Sequence, residues 1–145
     1  MHTCTHALIT CEDFRLHQRG DGRNYVANFI ESLGGECDLI TRGGAIQDLV
    51  RPQSEGYKNA LIRDLTVSVK KHDVEKIILL NHEDCGAYEA MDFKAREQEL
   101  DQHTADLHTA KEVIEKEFPG VEVLLYFGYL KEGSADEFEI KPLKT

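Results

Sequence analysis

The stretch Lys76-Ile77-Ile78-Leu79-Leu80-Asn81-His82-Glu83-Asp84-Cys85-Gly86 decides how the rest of the chain is read. Its run of aliphatic residues has no polar alternation. That marks a strand buried on both faces, the habit of parallel sheets covered by helices. Glu75 to Asn81 read as that strand, and it stops at an imidazole and then a thiol. A second apolar run ends in the same way, at His6-Ala7-Leu8-Ile9-Thr10-Cys11-Glu12-Asp13-Phe14-Arg15, with residues 6–11 as the strand. Cys11, His82 and Cys85 together are a three-ligand set for zinc with a fourth position left over. Catalytic zinc sites are built like that, whereas structural sites take all four ligands from the protein.

Outward from these two runs, the apolar period alternates between strand-like and helix-like. Asp21 to Gly34 read as a helix, with Tyr25, Val26, Phe29, Ile30 and Leu33 on one stripe and Gly34-Gly35 as its stop. Cys37 to Thr41 form a short second strand. Gln53 to His72 contain a second helix with Leu61, Ile62, Leu65 and Val69 inward. Ala87 to Phe118 read as helical, with a break near Gln98 to His103. Pro119-Gly120 is a turn, Val121 to Phe127 a fourth strand, and Phe138 to Ile140 a possible edge strand. Strands alternating with helices predict an α/β fold: a mostly parallel four-stranded sheet, with a possible fifth edge strand, flanked by helices. No repeat or linker divides residues 1–145, which are expected to form one zinc-binding domain. In such sheets ligands bind beyond the carboxyl ends of the strands, where strand order reverses. If the first and third strands are neighbours, the three ligands meet at that crevice.

Composition narrows the function. The 145 residues carry a net charge of −10, with Lys and Arg dispersed. That argues against a nucleic-acid or anionic-membrane surface. No apolar run approaches the roughly 20 residues of a membrane helix. The start of the chain lacks the basic and apolar regions of a secretory signal. Four cysteines are too few for a disulfide framework. The expectation is a cytoplasmic protein with reduced thiols, available to a metal.

Other side chains sort around the proposed site. Asp13 and Arg15, two apart on an extended segment, share one side, so Arg15 can hold Asp13 while Asp13 faces the metal. Arg42 after the second strand is either structural, bonding carbonyls, or part of the site. Gly43, Gly44 and Gly86 are expected to permit close backbone approach. His103 and His108 do not share a helix face and read as surface residues, with a proton-relay role as the alternative. His2, Cys4 and His6 alternate near a terminus expected to fray, where metal would bind adventitiously. Cys37 packs in or beside the second strand, and Glu83 and Asp84 are solvated or cap the next helix.

Cys11-Glu12-Asp13-Phe14-Arg15 and His82-Glu83-Asp84-Cys85-Gly86 resemble the Cys-x-Asp-x-Arg and His-x-x-Cys-Gly motifs of the beta-class carbonic anhydrases. Asp38 to Gly44 are similar to that family's second strand and the Arg-Asn-Ala-Gly stretch after it, with Gly43 in place of the Asn. Lys58 to Lys71 and Val121 to Gly133 resemble its connecting helix and closing strand, so the likeness covers residues 6 to 133. The family's N-terminal helical arm has no counterpart here, which suggests a short, armless member. The resemblance implies zinc as cofactor and reversible hydration of carbon dioxide to bicarbonate. Zinc-bound hydroxide would attack, oriented by Asp13 and Arg15. It also implies a second state in which Asp13 itself ligates zinc, and a homodimer with each site near the subunit boundary. Two alternatives stay open: a non-catalytic zinc-binding domain, and hydrolysis of a related small molecule such as carbonyl sulfide.

Overall fold

A computed structural model describes residues 2–144. Its elements run β1 (His6–Thr10), α1 (Tyr25–Ser32), β2 (Cys37–Thr41), α2 (Gln47–Val50), α3 (Glu55–Lys71), β3 (Lys76–His82), α4 (Arg96–Glu117), β4 (Glu122–Leu130) and β5 (Phe138–Pro142). Single 3-10 turns lie at Phe14–Leu16 and Gly86–Met91. The five strands form one sheet in the order β2-β1-β3-β4-β5. The first four are mutually parallel, and β5 runs antiparallel to β4. The fifth edge strand is therefore present and longer than expected.

The sheet's interior follows from its apolar runs. Ala7, Leu8 and Ile9 of β1 and Ile77 to Leu80 of β3 are fully buried. Each buried Leu or Ile contributes roughly 1.5–3 kcal/mol relative to an exposed one. Both faces are covered. Tyr126 packs edge-on against Phe29 of α1, and its neighbour Phe127 packs against His103 of α4. Adjacent strand residues point to opposite faces, so α1 and α4 lie on opposite sides of the sheet. Among the described residues, no helix is long and apolar enough to cross a membrane.

The expected helix break falls elsewhere. Arg96–Glu117 is one uninterrupted helix, so residues 98–103 are not a break. The chain turns before it, at Asp92, whose left-handed backbone (φ 49°) ends the 3-10 turn. The short α2 had no sequence signal of its own.

The chain passes from β1 outward to β2 and then crosses back to β3 on β1's other side. Strand order therefore reverses between β1 and β3, which are direct neighbours in register, Thr10 opposite Leu80. The carboxyl ends of these two strands open the crevice where such sheets bind ligands.

Candidate metal centre

Cys11 follows the last residue of β1, His82 is the last residue of β3, and Cys85 lies three residues beyond. All three are at most 5% exposed. Their donor atoms lie within 4.8 Å of one another. The turn between His82 and Cys85 depends on Asp84, which takes a left-handed backbone (φ 60°), a conformation that Asp tolerates better than most residues. Its amide donates to Glu99 Oε2 at 2.8 Å, which pins the turn to α4.

The donors fit a zinc ion. The two sulfurs are 3.9 Å apart; tetrahedral zinc with bonds of about 2.3 Å sets its sulfurs about 3.8 Å apart. His82 Nδ1 donates to the Glu83 carbonyl at 2.8 Å. That tautomer leaves the Nε2 lone pair free, and Nε2 is buried with no hydrogen-bond partner. A ligating histidine is usually oriented through its other nitrogen in this way. The thiols are coupled. The hydrogen bond from Cys85 holds the Cys11 thiol well below its ordinary range, and that same bond, with burial, pushes Cys85 up. Two thiolates side by side require a cation to ionise together, and a coordinated metal deprotonates a thiol outright.

Asp13 and Arg15 stand at the edge of this set. Arg15 Nη2 and Nε donate to Asp13 at 2.7 and 3.1 Å, and the Arg15 amide donates to Oδ1 at 2.9 Å. Burial alone would raise the Asp13 carboxyl. The Arg15 hydrogen bonds outweigh it and hold Asp13 below the usual carboxylate range. Asp13 Oδ2 lies 3.8 Å from His82 Nε2. Arg15 is itself held by Asp84, through Oδ2 at 3.0 Å and the carbonyl at 2.9 Å, and by the Ala135 carbonyl at 2.8 Å. These side chains open onto a cleft of about 650 Å³ that is also lined by Phe14, Tyr88, Glu89, Asp92, Phe93 and Glu99.

Several supporting residues escaped the sequence reading. His17 donates from Nε2 to the Cys11 carbonyl at 2.8 Å. Gly128 pairs with His82, and a Cβ there would sit 3.3 Å from the His82 Cβ. The His82 ring meets Phe138 of β5 edge-on at 5.6 Å. Only the His82–Gly128 register was inferable in principle, from aligning the ends of two parallel strands.

Other expectations change. His103 is not a surface residue. It is fully buried, stacked on Tyr88 at 4.1 Å and 2.9 Å from Asn81 Nδ2. Only His108 of the pair is exposed. Glu83 is not solvated; it is buried, accepts from the Leu130 amide at 3.0 Å and pairs with Arg96 at 2.7 Å. The Arg42 side chain pairs with Asp48 at 2.6 Å and bonds the Tyr57 carbonyl, a structural role. Gly44 does permit close approach: its φ is 80° and a Cβ would sit 2.9 Å from the Ala87 Cβ. At Gly86 a Cβ would meet nothing within 4 Å, so close packing is not its reason. Cys37 lies in β2, half-buried, as expected.

The fold is that of the beta-carbonic anhydrases. The chain aligns over its full length with the tetrameric beta-carbonic anhydrases of Sordaria macrospora, covering 83% of that chain at TM-score 0.54 and 17% identity. It aligns over 99% of its length with the carbonic anhydrase of Streptococcus mutans, covering 84% of it at TM-score 0.50 and 18% identity. By sequence it is 29% identical over 125 residues to an uncharacterized protein of Rickettsia bellii, a match spanning 82% of this chain and 73% of the relative. A second relative, from Rickettsia conorii, is 26% identical over 125 residues, 64% of that protein's length. The family model described as "putative carbonic anhydrase" matches residues 1–134, and the chain belongs to that family.

Proposed function

We propose that this chain is a zinc-dependent enzyme that hydrates carbon dioxide reversibly to bicarbonate. The observation that carries the reading is the position of Asp13: a carboxylate kept ionised by Arg15, with Oδ2 3.8 Å from the unpartnered His82 Nε2. An acceptor is thus fixed beside the point where two sulfurs and one nitrogen converge. Family membership and fold support the same reading.

Cys11, His82 and Cys85 would hold the metal. Zinc so bound supplies Lewis acidity that brings the acidity of water near neutrality. Asp13 accepts a hydrogen from the attacking water and aims the oxygen lone pair at the carbon. Arg15 holds Asp13 ionised and restrains it from swinging inward. The Glu83 carbonyl fixes the ring orientation of His82. The carboxylates of Asp84, Glu89, Asp92 and Glu99 line the cleft; their field is indifferent to a neutral gas and disfavours retention of an anionic product. We further infer a homodimer and a reducing, cytoplasmic setting, the latter from four free cysteines.

The test is stopped-flow carbon dioxide hydration on zinc-loaded protein. The expected result is hydration above the buffer rate that is lost on chelation. A zinc-loaded protein with no such activity would overturn the enzyme reading and leave a zinc-binding domain.

A further inference from the structure

We propose that Cys4, Asp38 and His72 form a second zinc-type metal site, at the end of the sheet opposite Cys11. The parallel pairing of β1 and β2 fixes the location. Cys4 precedes the first residue of β1, and Asp38 is the second residue of β2, paired with Ala7. His72 ends α3 as its C-terminal cap. Three separate elements thus deliver one donor each, and the donor atoms lie within 4.8 Å of one another.

The cluster is pinned by its backbone. The Cys4 amide donates to the His72 carbonyl at 3.1 Å, so this part of the N-terminal segment is anchored rather than frayed. His72 Nδ1 lies 2.7 Å from Asp38 Oδ2. The Cys4 thiol donates to the His6 carbonyl at 3.5 Å and also reaches the Asp38 carboxylate. All three residues are half-buried. They face a hollow of about 390 Å³ that is open to solvent, so an ion has a route in. Bonds of about 2.0–2.3 Å place tetrahedral donors about 3.5 Å apart, so an ion would enter by parting the His72–Asp38 contact from its present 2.7 Å. A thiolate with an imidazole selects zinc and its borderline neighbours over magnesium or calcium, and the single carboxylate fits the same class. Three protein donors leave the fourth position to water. A bound ion would tie the N-terminal segment, β2 and the end of α3 together.

Zinc per chain, measured by elemental analysis after equilibration and gel filtration, tests this site independently of the first. The full-length protein is expected to retain two zinc ions. Cys4→Ser, Asp38→Asn and His72→Gln are each expected to retain one, and Cys11→Ser one as well. In the cobalt-loaded Cys11→Ser protein a sulfur-to-cobalt charge-transfer band should persist, and adding Cys4→Ser should abolish it. His2→Ala and His6→Ala should leave both zinc ions in place. A parent protein holding one zinc or fewer overturns the proposal if Cys4→Ser leaves that count unchanged. So does a second zinc that survives Asp38→Asn and His72→Gln but is lost with His2→Ala, which would assign it to the terminal histidines. If Cys11→Ser still retains two, that count bears on the first site only, and the Cys4, Asp38 and His72 variants still decide this one. To separate metal loss from misfolding, each count is paired with the thermal unfolding of metal-free protein, which the Cys4 and His72 changes are expected to leave near the parent value. Zinc should raise the melting temperature of the parent more than that of His72→Gln, and equal rises would also overturn the site.

Discussion

Arg15 grips Asp13 from three directions, with its amide, Nε and Nη2 all within 3.1 Å of the carboxylate. The carboxylate is thereby fixed in place. Replacing Asp13 with Asn should leave zinc content intact, because the three ligands are untouched, yet lower hydration by roughly 100-fold, the scale of a lost positioned proton acceptor. Arg15→Ala should act in the same direction by freeing Asp13. Both variants hydrating carbon dioxide at the parent rate would sink the role given to this pair.

Removing a ligand should release metal. Cys11→Ser, His82→Ala and Cys85→Ser are each expected to strip most of the zinc from the first site, and activity with it. Elemental analysis on a Cys4→Ser background isolates that site. Full occupancy in any two of these variants contradicts the assignment.

Activity should rise with pH between about 7 and 9, the range in which zinc-activated water loses its proton. Asp13 is held below the ordinary carboxylate range. It therefore stays ionised throughout that window and contributes no slope of its own. A flat profile in an active enzyme counts against water activation at zinc.

Stability should be acid-sensitive through Asp106. Its carboxylate is buried and accepts from Arg51 at 2.6 and 2.7 Å and from the Tyr88 hydroxyl at 2.7 Å. Burial would raise Asp106, but the Arg51 hydrogen bonds outweigh it and the net shift is downward. A depressed carboxylate stabilises the fold above its unfolded value of about 3.9, and that contribution is lost as pH falls through the lower folded value. Asp106→Asn should cost about 2 kcal/mol at pH 7 in urea unfolding and flatten the decline below about pH 4. An unchanged acid limb contradicts this.

In solution the chain should be a dimer, with twice the 16.5 kDa chain mass by light scattering. Phe14 is 74% exposed on the lip of the metal cleft, which is unusual for an aromatic ring beside a buried site. Phe14→Glu should shift the mass toward the monomer. A parent protein that scatters as a monomer at micromolar concentration would show that the pocket walls come from one subunit alone.

The two strands that carry the candidate ligands were legible because their apolar runs are unbroken, and Cys11, His82 and Cys85 interrupt those runs at the ends. The position of the crevice followed from topology. The polar layer between β3 and α4 was hidden for a physical reason. His103 and Asp106 are buried by partners distant in sequence, Asn81, Tyr88 and Arg51. No apolar period marks such residues, and His103 read as solvated. The helix boundary at Asp92 to Ala95 was equally invisible, since a left-handed Asp stops the 3-10 turn without any Gly or Pro. Glu83 looked like a loop carboxylate because its amide partner, Leu130, lies at the end of another strand.

The family match ends at residue 134, but the back wall of the candidate metal centre does not. Phe138 lies against both the His82 ring and the Arg15 guanidinium, and Ala135 offers Arg15 its carbonyl. Two proteins could therefore share every motif residue through position 134 and still differ in how stiffly they hold them. Divergence in the last few residues would then work as a tuning screw on a site whose ligands never change.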